Sequence, residues 1–395
     1  MTRALGRAIG GLRAFDRRVT RRAGRRELLV DARTGVNFVV FAPVLRTMAT
    51  DPRVRFSFTA SNEPSRLRDI YQEANGIRRI SPRRAALERF DAYVASDFMW
   101  ATLPRGTARV QMFHGVGGKY GFDAPARSMR EWHRLFFVNR RRLANFIAAG
   151  AIDPDSPAIR LIGYPKTDCL VDGSLSRSPV LESLGLDAAR PTILYAPTWS
   201  PASSLNAFGV DLIKALLRLP VNVVVKLHDR SRDPRAFYSG GADWMSLLEP
   251  MVRAAGGHLA TGHDICPLLV AADVMVTDHS SAGFEYLLLD KPLVRIHRPA
   301  LLSLANVHPD YVALLASASQ SVNDVSETVS AVERSLALPW MRSAERRAVA
   351  ADLFHEPGTA TRRAVEALYE VIELDAPATV HSRSTLGGHA CQPSA

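Results

Sequence analysis

The sequence predicts an α/β protein of two doubly wound domains, each on a parallel sheet, facing each other across a cleft. Two observations predict it. Short apolar runs alternate with helix-compatible stretches in both halves of the chain, the pattern of βα repeats on a parallel sheet. At 395 residues the chain is also long enough to bury two cores. In such sheets ligands bind beyond the carboxyl ends of the strands. Polar residues that directly follow an apolar run are therefore the first candidates for function.

In chain order, the first half predicts strands at 36–42, 53–59, 91–96, 108–113, 135–138 and 159–162. Helices are expected at 44–50, 66–74 and 140–149, the last stopped by Gly150. Scattered Gly, Ser and Pro make 172–190 a linker. The second half repeats the alternation, with strands at 192–195, 222–227, 258–260, 274–277 and 293–296. Its helices are expected near 212–219, 244–255, 266–271 and 282–289, then near 326–336, 344–353 and 361–374. The implied organisation is a basic segment at 1–30, a first α/β domain at 31–172, a second at 185–375 and a disordered tail at 376–395.

Hydrophobic content of 47% and charged content of 23% are ordinary for a globular chain. No apolar run is long enough to span a bilayer, and no secretory apolar core follows the charged N-terminus. Cys169, Cys266 and Cys391 are odd in number and lack metal-ligand spacing. They argue against a disulfide framework or a zinc site and fit a reducing cytoplasm, so no metal and no cofactor are expected.

Much of the net charge of +11 sits at the front, where residues 1–28 hold nine arginines against Asp16 and Glu27. Leu5, Ala8, Ile9, Leu12, Phe15 and Val19 recur there at helical spacing. The segment is either a basic amphipathic helix lying on an anionic membrane or a solvated basic tail. Gly6, Gly10, Gly11 and Gly24 weaken the helix. Nucleic acid ranks last as a partner, because no recognition motif accompanies the charge. Of the 50 basic side chains only Lys119, Lys166, Lys214, Lys226 and Lys291 are lysine. A chain that defaults to arginine keeps lysine where a compact ammonium matters.

Five strand ends carry polar residues. In residues 272–296 (ADVMVTDHSSAGFEYLLLDKPLVRI), Asp278-His279-Ser280-Ser281 break a Val-rich strand and open a helix. The serines either cap that helix or, with its unpaired N–H groups and positive dipole end, hold a phosphate. Glu285, one turn on, either accepts hydrogen bonds from ribose hydroxyls or faces solvent. His114 opens HGVGGKYG, whose glycines let the backbone turn and approach a ligand. Its imidazole can act as a general base near neutral pH, or simply bond a loop. VVVKLHDR places Lys226 and His228 on one face by the strand period. They either hold a pyrophosphate or are ordinary strand-end polarity. YAPTW, with Thr198, and GYPKTD are weaker signals. No P-loop, DxD pair or dinucleotide glycine fingerprint follows a strand. That favours a metal-free mechanism in which cationic and dipolar groups stabilise a leaving phosphate.

Taken in order, HG with a downstream Lys, GYPKTD, YAPTW, VVKLH and DVMVTDHSSAGFEYLLLDKPLV resemble the CDP-glycerol glycerophosphotransferase family. These are teichoic-acid primases and polymerases and related capsule polymerases. The likeness runs from about His114 to about Ile296, and residues 1–110 match in architecture only. It implies the GT-B arrangement of two facing Rossmann-like domains. It also implies transfer of a polyol phosphate from a CDP-polyol donor to an acceptor hydroxyl, with release of CMP. By that resemblance His114 deprotonates the acceptor, and His228, Ser280 and Ser281 hold the donor pyrophosphate. Gly115, Lys119, Thr198, Lys226, Asp278 and Glu285 are the further substrate contacts expected. The implied acceptor is lipid-linked or a glycan at the cytoplasmic face of the membrane, which gives the basic N-terminus a peripheral role.

The chain departs from the family at His279 (usually Tyr), Asp229 (Pro), Gly117-Gly118 (a Pro-containing turn), Ser200 (Arg) and Glu285 (Asp). These departures bear on the expected ligand cleft and allow a changed donor or acceptor. Two other classes stay open at this point. One is a GT-B nucleotide-sugar glycosyltransferase or epimerase. The other is a non-enzymatic, basic surface-binding or scaffold protein.

Overall fold

The computed structural model describes residues 24–378 except 75, 97 and 120–128. Most of the basic N-terminal segment and the 379–395 part of the tail lie outside the described residues. The first strand forms where the arginine cluster ends. Glu27, Leu28, Leu29 and Val30 continue from Arg26 as β1 (Arg26–Asp31), and Leu28 to Val30 have no exposed surface. Arg26 is buried because its guanidinium donates to the carbonyls of Ile372 (2.6 Å) and Glu373 (2.9 Å).

The expected strand at 36–42 is instead part of a helix, Gly35–Met48, which also absorbs the helix expected at 44–50. Thr34 and Asn37 form a reciprocal capping box that starts it. A short apolar run without clear period fits a buried helix as well as a strand, and here the cap decides. The helix expected at 66–74 shrinks to Leu67–Ile70 after a 3-10 turn at Pro64–Arg66.

The first sheet continues with β2 (Val54–Thr59), β3 (Arg78–Arg79), β4 (Ala92–Ala95), β5 (Ala108–Met112), β6 (Arg134–Phe137) and β7 (Ile159–Leu161). Its order is β3-β2-β1-β4-β5-β6-β7, and every pairing is parallel. The second sheet holds β8 (Thr192–Tyr195), β9 (Asn222–Lys226), β10 (His258–Ala260), β11 (Val274–Thr277), β12 (Leu293–Ile296) and β13 (Gln320–Val322). Its order is β10-β9-β8-β11-β12-β13, again all parallel. Both are doubly wound sheets, as expected. The order reverses between β1 and β4 and between β8 and β11, and such reversals open crevices for ligands. The stretch expected as linker contains a helix, Arg177–Ser183.

The last helix, Ala360–Val371, returns to the first half in space. Tyr369 donates to Asp51 (2.9 Å), and Asp168 accepts from the backbone of Gly358 (2.9 Å) and Thr361 (2.6 Å). Ala364, Val365 and Leu368 join the core that contains β1. Leu368 has no exposed surface. Leu368→Ala is expected to cost about 2–5 kcal/mol in urea unfolding. A loss below about 1 kcal/mol would show that this helix does not anchor the first domain.

Candidate functional site

The second sheet's reversal point is bridged by one carboxylate. Asp278 follows β11 and has no exposed surface. It accepts from the backbone of Thr198 (2.7 Å) and from the backbone and hydroxyl of Ser204 (3.1 and 3.0 Å), which follow β8. Burial raises its pKa, and those hydrogen bonds pull against that rise. Asp278 thus ties the two strand ends together. Ser280 caps the Ser281–Tyr286 helix, its hydroxyl accepting from Ala282 at 3.2 Å. The capping alternative therefore describes Ser280, while Ser281 is exposed at the turn.

The loop after β5 comes from the first half to meet this turn. Gly115 has φ +68°, and a Cβ there would stand 3.6 Å from the Ser281 hydroxyl. Gly118 has φ +89°, and a Cβ would fall 2.4 Å from the Tyr311 ring, so only glycine fits. Arg142 donates to the carbonyls of His114 and Gly115 (3.2 Å each), and Asn139 to that of Val116 (3.1 Å). Tyr311 also donates to Val116 (3.2 Å), and the His308 backbone to Gly118 (2.9 Å). The loop bearing half-buried His114 is thereby held from both halves. Lys119 completes the junction, donating to the Thr198 hydroxyl (3.1 Å) and to the His279 carbonyl. Burial lowers its pKa to about 8, against the pull of Asp278.

The β9 end supplies the neighbouring wall. Lys226 is buried and donates to the Leu227 carbonyl (3.0 Å). Burial, with Arg232 nearby, lowers its pKa to about 8. His228 accepts the Arg230 N–H on Nδ1 (3.1 Å). Burial lowers its pKa to about 3; Asp229 opposes this and Arg230, Lys226 and Lys119 add to it. The ring is therefore neutral with its proton on Nε2, a donor suited to a phosphate oxygen. Asp229 pairs with His263 at 2.9 Å. Burial works to raise its pKa, but His263, His228 and Lys226 hold it below the usual range. The His263 backbone N–H reaches Glu73 of the first half (2.7 Å). Trp199 lies beside His228, ring centres 6.3 Å apart, with the Arg230 guanidinium 4.5 Å over its face.

Glu285 does not face solvent. Its carboxylate accepts from Lys166 of GYPKTD at 2.7 Å, with side-chain exposures of 3% and 6%. Burial alone would depress the Lys166 pKa, but Glu285, Tyr164 and Cys266 hold it well above the ordinary value. The structure thus gathers Gly115, Lys119, Thr198, Asp278, Ser280 and Ser281 at one junction. His228 and Lys226 stand beside it and Glu285 lies beneath. The reading of strand ends missed Asn139 and Arg142, although they follow β6 as His114 follows β5. It also left Lys166 out of the site.

Among the described residues no group of three or more His, Cys, Asp or Glu is placed to hold a metal ion. No described helix is long and apolar enough to cross a membrane.

Residues 36–368 match the family model described as CDP-Glycerol:Poly(glycerophosphate) glycerophosphotransferase. The chain belongs to the CDP-glycerol glycerophosphotransferase family. Among curated proteins it is similar to a teichoic acid poly(glycerol phosphate) polymerase of Staphylococcus epidermidis, 26% identical over 175 residues, 42% of this chain and 23% of that protein. Its counterpart from Bacillus spizizenii is 24% identical over 216 residues, 50% of this chain and 53% of that protein. The chain thus spans only part of the length of these relatives.

Among solved structures, the wall teichoic acid polymerase TagF superposes with TM-score 0.66 at 15% identity, covering 89% of each chain. UDP-GlcNAc 2-epimerase from Neisseria meningitidis superposes with TM-score 0.53 at 12% identity, covering 87% of this chain and all of that one. Both likenesses concern the fold, which glycerophosphotransferase and epimerase share.

In this family member, Lys166→Met would leave the Glu285 carboxylate buried and unpaired, at a cost of about 3–5 kcal/mol. Adding Glu285→Leu should recover most of that loss. The double-mutant cycle reads the coupling directly, and a coupling near zero would mean that the pair does not join the two halves.

Proposed function

We propose that the protein transfers a glycerol phosphate, or a related polyol phosphate, from a CDP-polyol to a hydroxyl of a lipid-linked or glycan acceptor, releasing CMP. One observation carries this reading. The glycine loop bearing His114 meets the serine turn across the cleft, locked there by Lys119 on Thr198 and His279. A nucleophile activated on one wall would thus face a phosphate held on the other.

In the proposed reaction His114 takes the proton of the acceptor hydroxyl. The oxygen attacks the β-phosphorus of the donor, and the bond from that phosphorus to the bridging oxygen breaks. CMP leaves with the electron pair. Its charge falls to the Nε2–H of His228, the Ser281 hydroxyl and the Lys119 and Lys226 ammonium groups. Thr198, Gly115 and Ser280 shape this wall, and Asp278 holds it together. Glu285 meets a ribose only if it gives up part of its bond to Lys166. The acceptor is placed at the cytoplasmic face of the membrane. The support is the arginine-rich start of the chain, suited to peripheral contact with anionic lipid.

His114→Ala should lower acceptor-dependent CMP release from CDP-glycerol about 10²–10⁴-fold while leaving donor binding intact. Full activity in that variant would remove His114 as the base. A thermal-shift series should show stabilisation by CDP-glycerol above that by UDP- or GDP-linked sugars. The reverse order would favour the glycosyltransferase or epimerase reading.

Donor affinity should also depend on pH. Lys119 and Lys226 are charged below about pH 8 and neutral above it. The affinity for CDP-glycerol should therefore begin to fall as pH rises through 8. Lys119→Arg, which stays charged, should make the fall shallower, because Lys226 alone then titrates near 8. A flat profile to about pH 10 would exclude both ammonium groups from the donor site.

A further inference from the structure

Arg295 lies on β12 with 4% of its surface exposed. One terminal nitrogen donates to the Ser321 hydroxyl (2.7 Å). Its Nε is buried and has no hydrogen-bond partner. Burial lowers its pKa, and no carboxylate is close enough to restore it. A buried guanidinium without an acid is costly, and an anion bound beside it would offset that cost.

Two imidazoles share this position. Thr277 of β11 pairs in register with Arg295 of β12. His279 and His297 each stand two residues further on, at the carboxyl ends of these neighbouring strands. His279 is 2% exposed, packs its ring edge-on to Phe284 (5.8 Å) and has a buried Nδ1 with no partner. His297 likewise has a buried Nδ1 with no partner. Burial, together with the charges of Lys119 and Arg295, keeps the His279 ring neutral. One guanidinium N–H and two imidazole nitrogens therefore sit at adjacent strand ends without a hydrogen-bond partner, and each ring can donate from whichever nitrogen carries its proton. By the family resemblance, His279 stands where tyrosine is usual. Ser321, the in-register neighbour of Arg295 on β13, is exposed.

We propose that Arg295, His279 and His297 form a phosphate pocket behind the serine turn. It takes a phosphoryl group of the substrate through N–H groups of the guanidinium and the two imidazoles. The pocket deepens the transferase reading and rests on it for the identity of the substrate. The phosphoryl group belongs either to the CDP-polyol donor or to a phosphate ester already present in the acceptor chain. The two present the same chemistry to these nitrogens.

The test titrates the full chain calorimetrically with CDP and, separately, with glycerol 3-phosphate as a probe for an acceptor phosphate. In Arg295→Met at least one of the two affinities should fall about tenfold or more. Arg295→Lys, which keeps the charge, should lie between that variant and wild type, and it carries the comparison if Arg295→Met does not fold. His279→Phe should weaken the same ligand. A fall confined to CDP assigns the pocket to the donor, and one confined to glycerol 3-phosphate assigns it to the acceptor. If both affinities stay within about twofold of wild type in folded variants, the pocket is overturned and the cluster holds water only. A wild-type chain that fails to bind CDP, yet binds glycerol 3-phosphate in an Arg295-dependent way, overturns the transferase reading and not the pocket.

Discussion

A lysine ammonium taken out of water has to be met by an acid or by several oxygens, and two lysines of the first half are met only in the second. Lys166 ends on Glu285, and Lys119 ends on the Thr198 hydroxyl and the His279 carbonyl within the field of Asp278. Neither lysine is satisfied by its own half. The cost of leaving either unpaired therefore sets how the two sheets face each other. The same two contacts determine what lies between them. Lys119 draws the HG loop against the serine turn, and Lys166 places GYPKTD under the helix that the turn begins.

Asp278 plays the matching part inside the second half. A doubly wound sheet leaves a gap where its strand order reverses, here between β8 and β11. The carboxylate spans that gap by accepting from Thr198 and Ser204. Its hydrogen bonds are therefore spent on the protein, and it shapes the site more than it faces a ligand. Ser280 shows the same division of labour. Its hydroxyl is used in capping, which leaves Ser281 as the exposed one of the pair.

Much of the second half was legible because its strands are short, mostly apolar runs followed within a few residues by Pro, Gly or Asp. The strands expected at 192–195, 258–260, 274–277 and 293–296 form with those bounds. The first half was harder for physical reasons. β1 hides at the end of an arginine cluster, and Arg26 belongs in a strand only because carbonyls 346 and 347 positions away receive it. The helix at Gly35–Met48 is buried on several sides and shows no clean period, so a local cap decided its type. The burial of Glu285 depends on a lysine 119 positions earlier, which spacing within the helix cannot reveal. Strand-end logic singled out His114, His228 and the serine turn, and the structure places the loop of His114 against that turn. It missed the groups that hold the loop from behind, because Asn139, Arg142 and Tyr311 act through backbone carbonyls and carry no motif.

The cleft of this chain is electrostatically unfinished. Lys119, Lys226 and Arg295 all have pKa values lowered first by burial, which acids did not fully offset. Asp278 acts on Lys119 and Asp229 on Lys226, and each is already engaged, one by backbone N–H groups and one by His263. A fold that tolerates such an excess stores an attraction for negative charge where water is scarce and screening weak. A bound phosphate would stabilise the charged forms of both lysines and raise their pKa values. Above about pH 8, binding should then be accompanied by proton uptake, whereas near neutrality the lysines are already charged and little uptake follows. His228 contributes differently. Its neutral ring offers a hydrogen bond without adding to the positive field, and its lowered pKa keeps it in one protonation state across the neutral range.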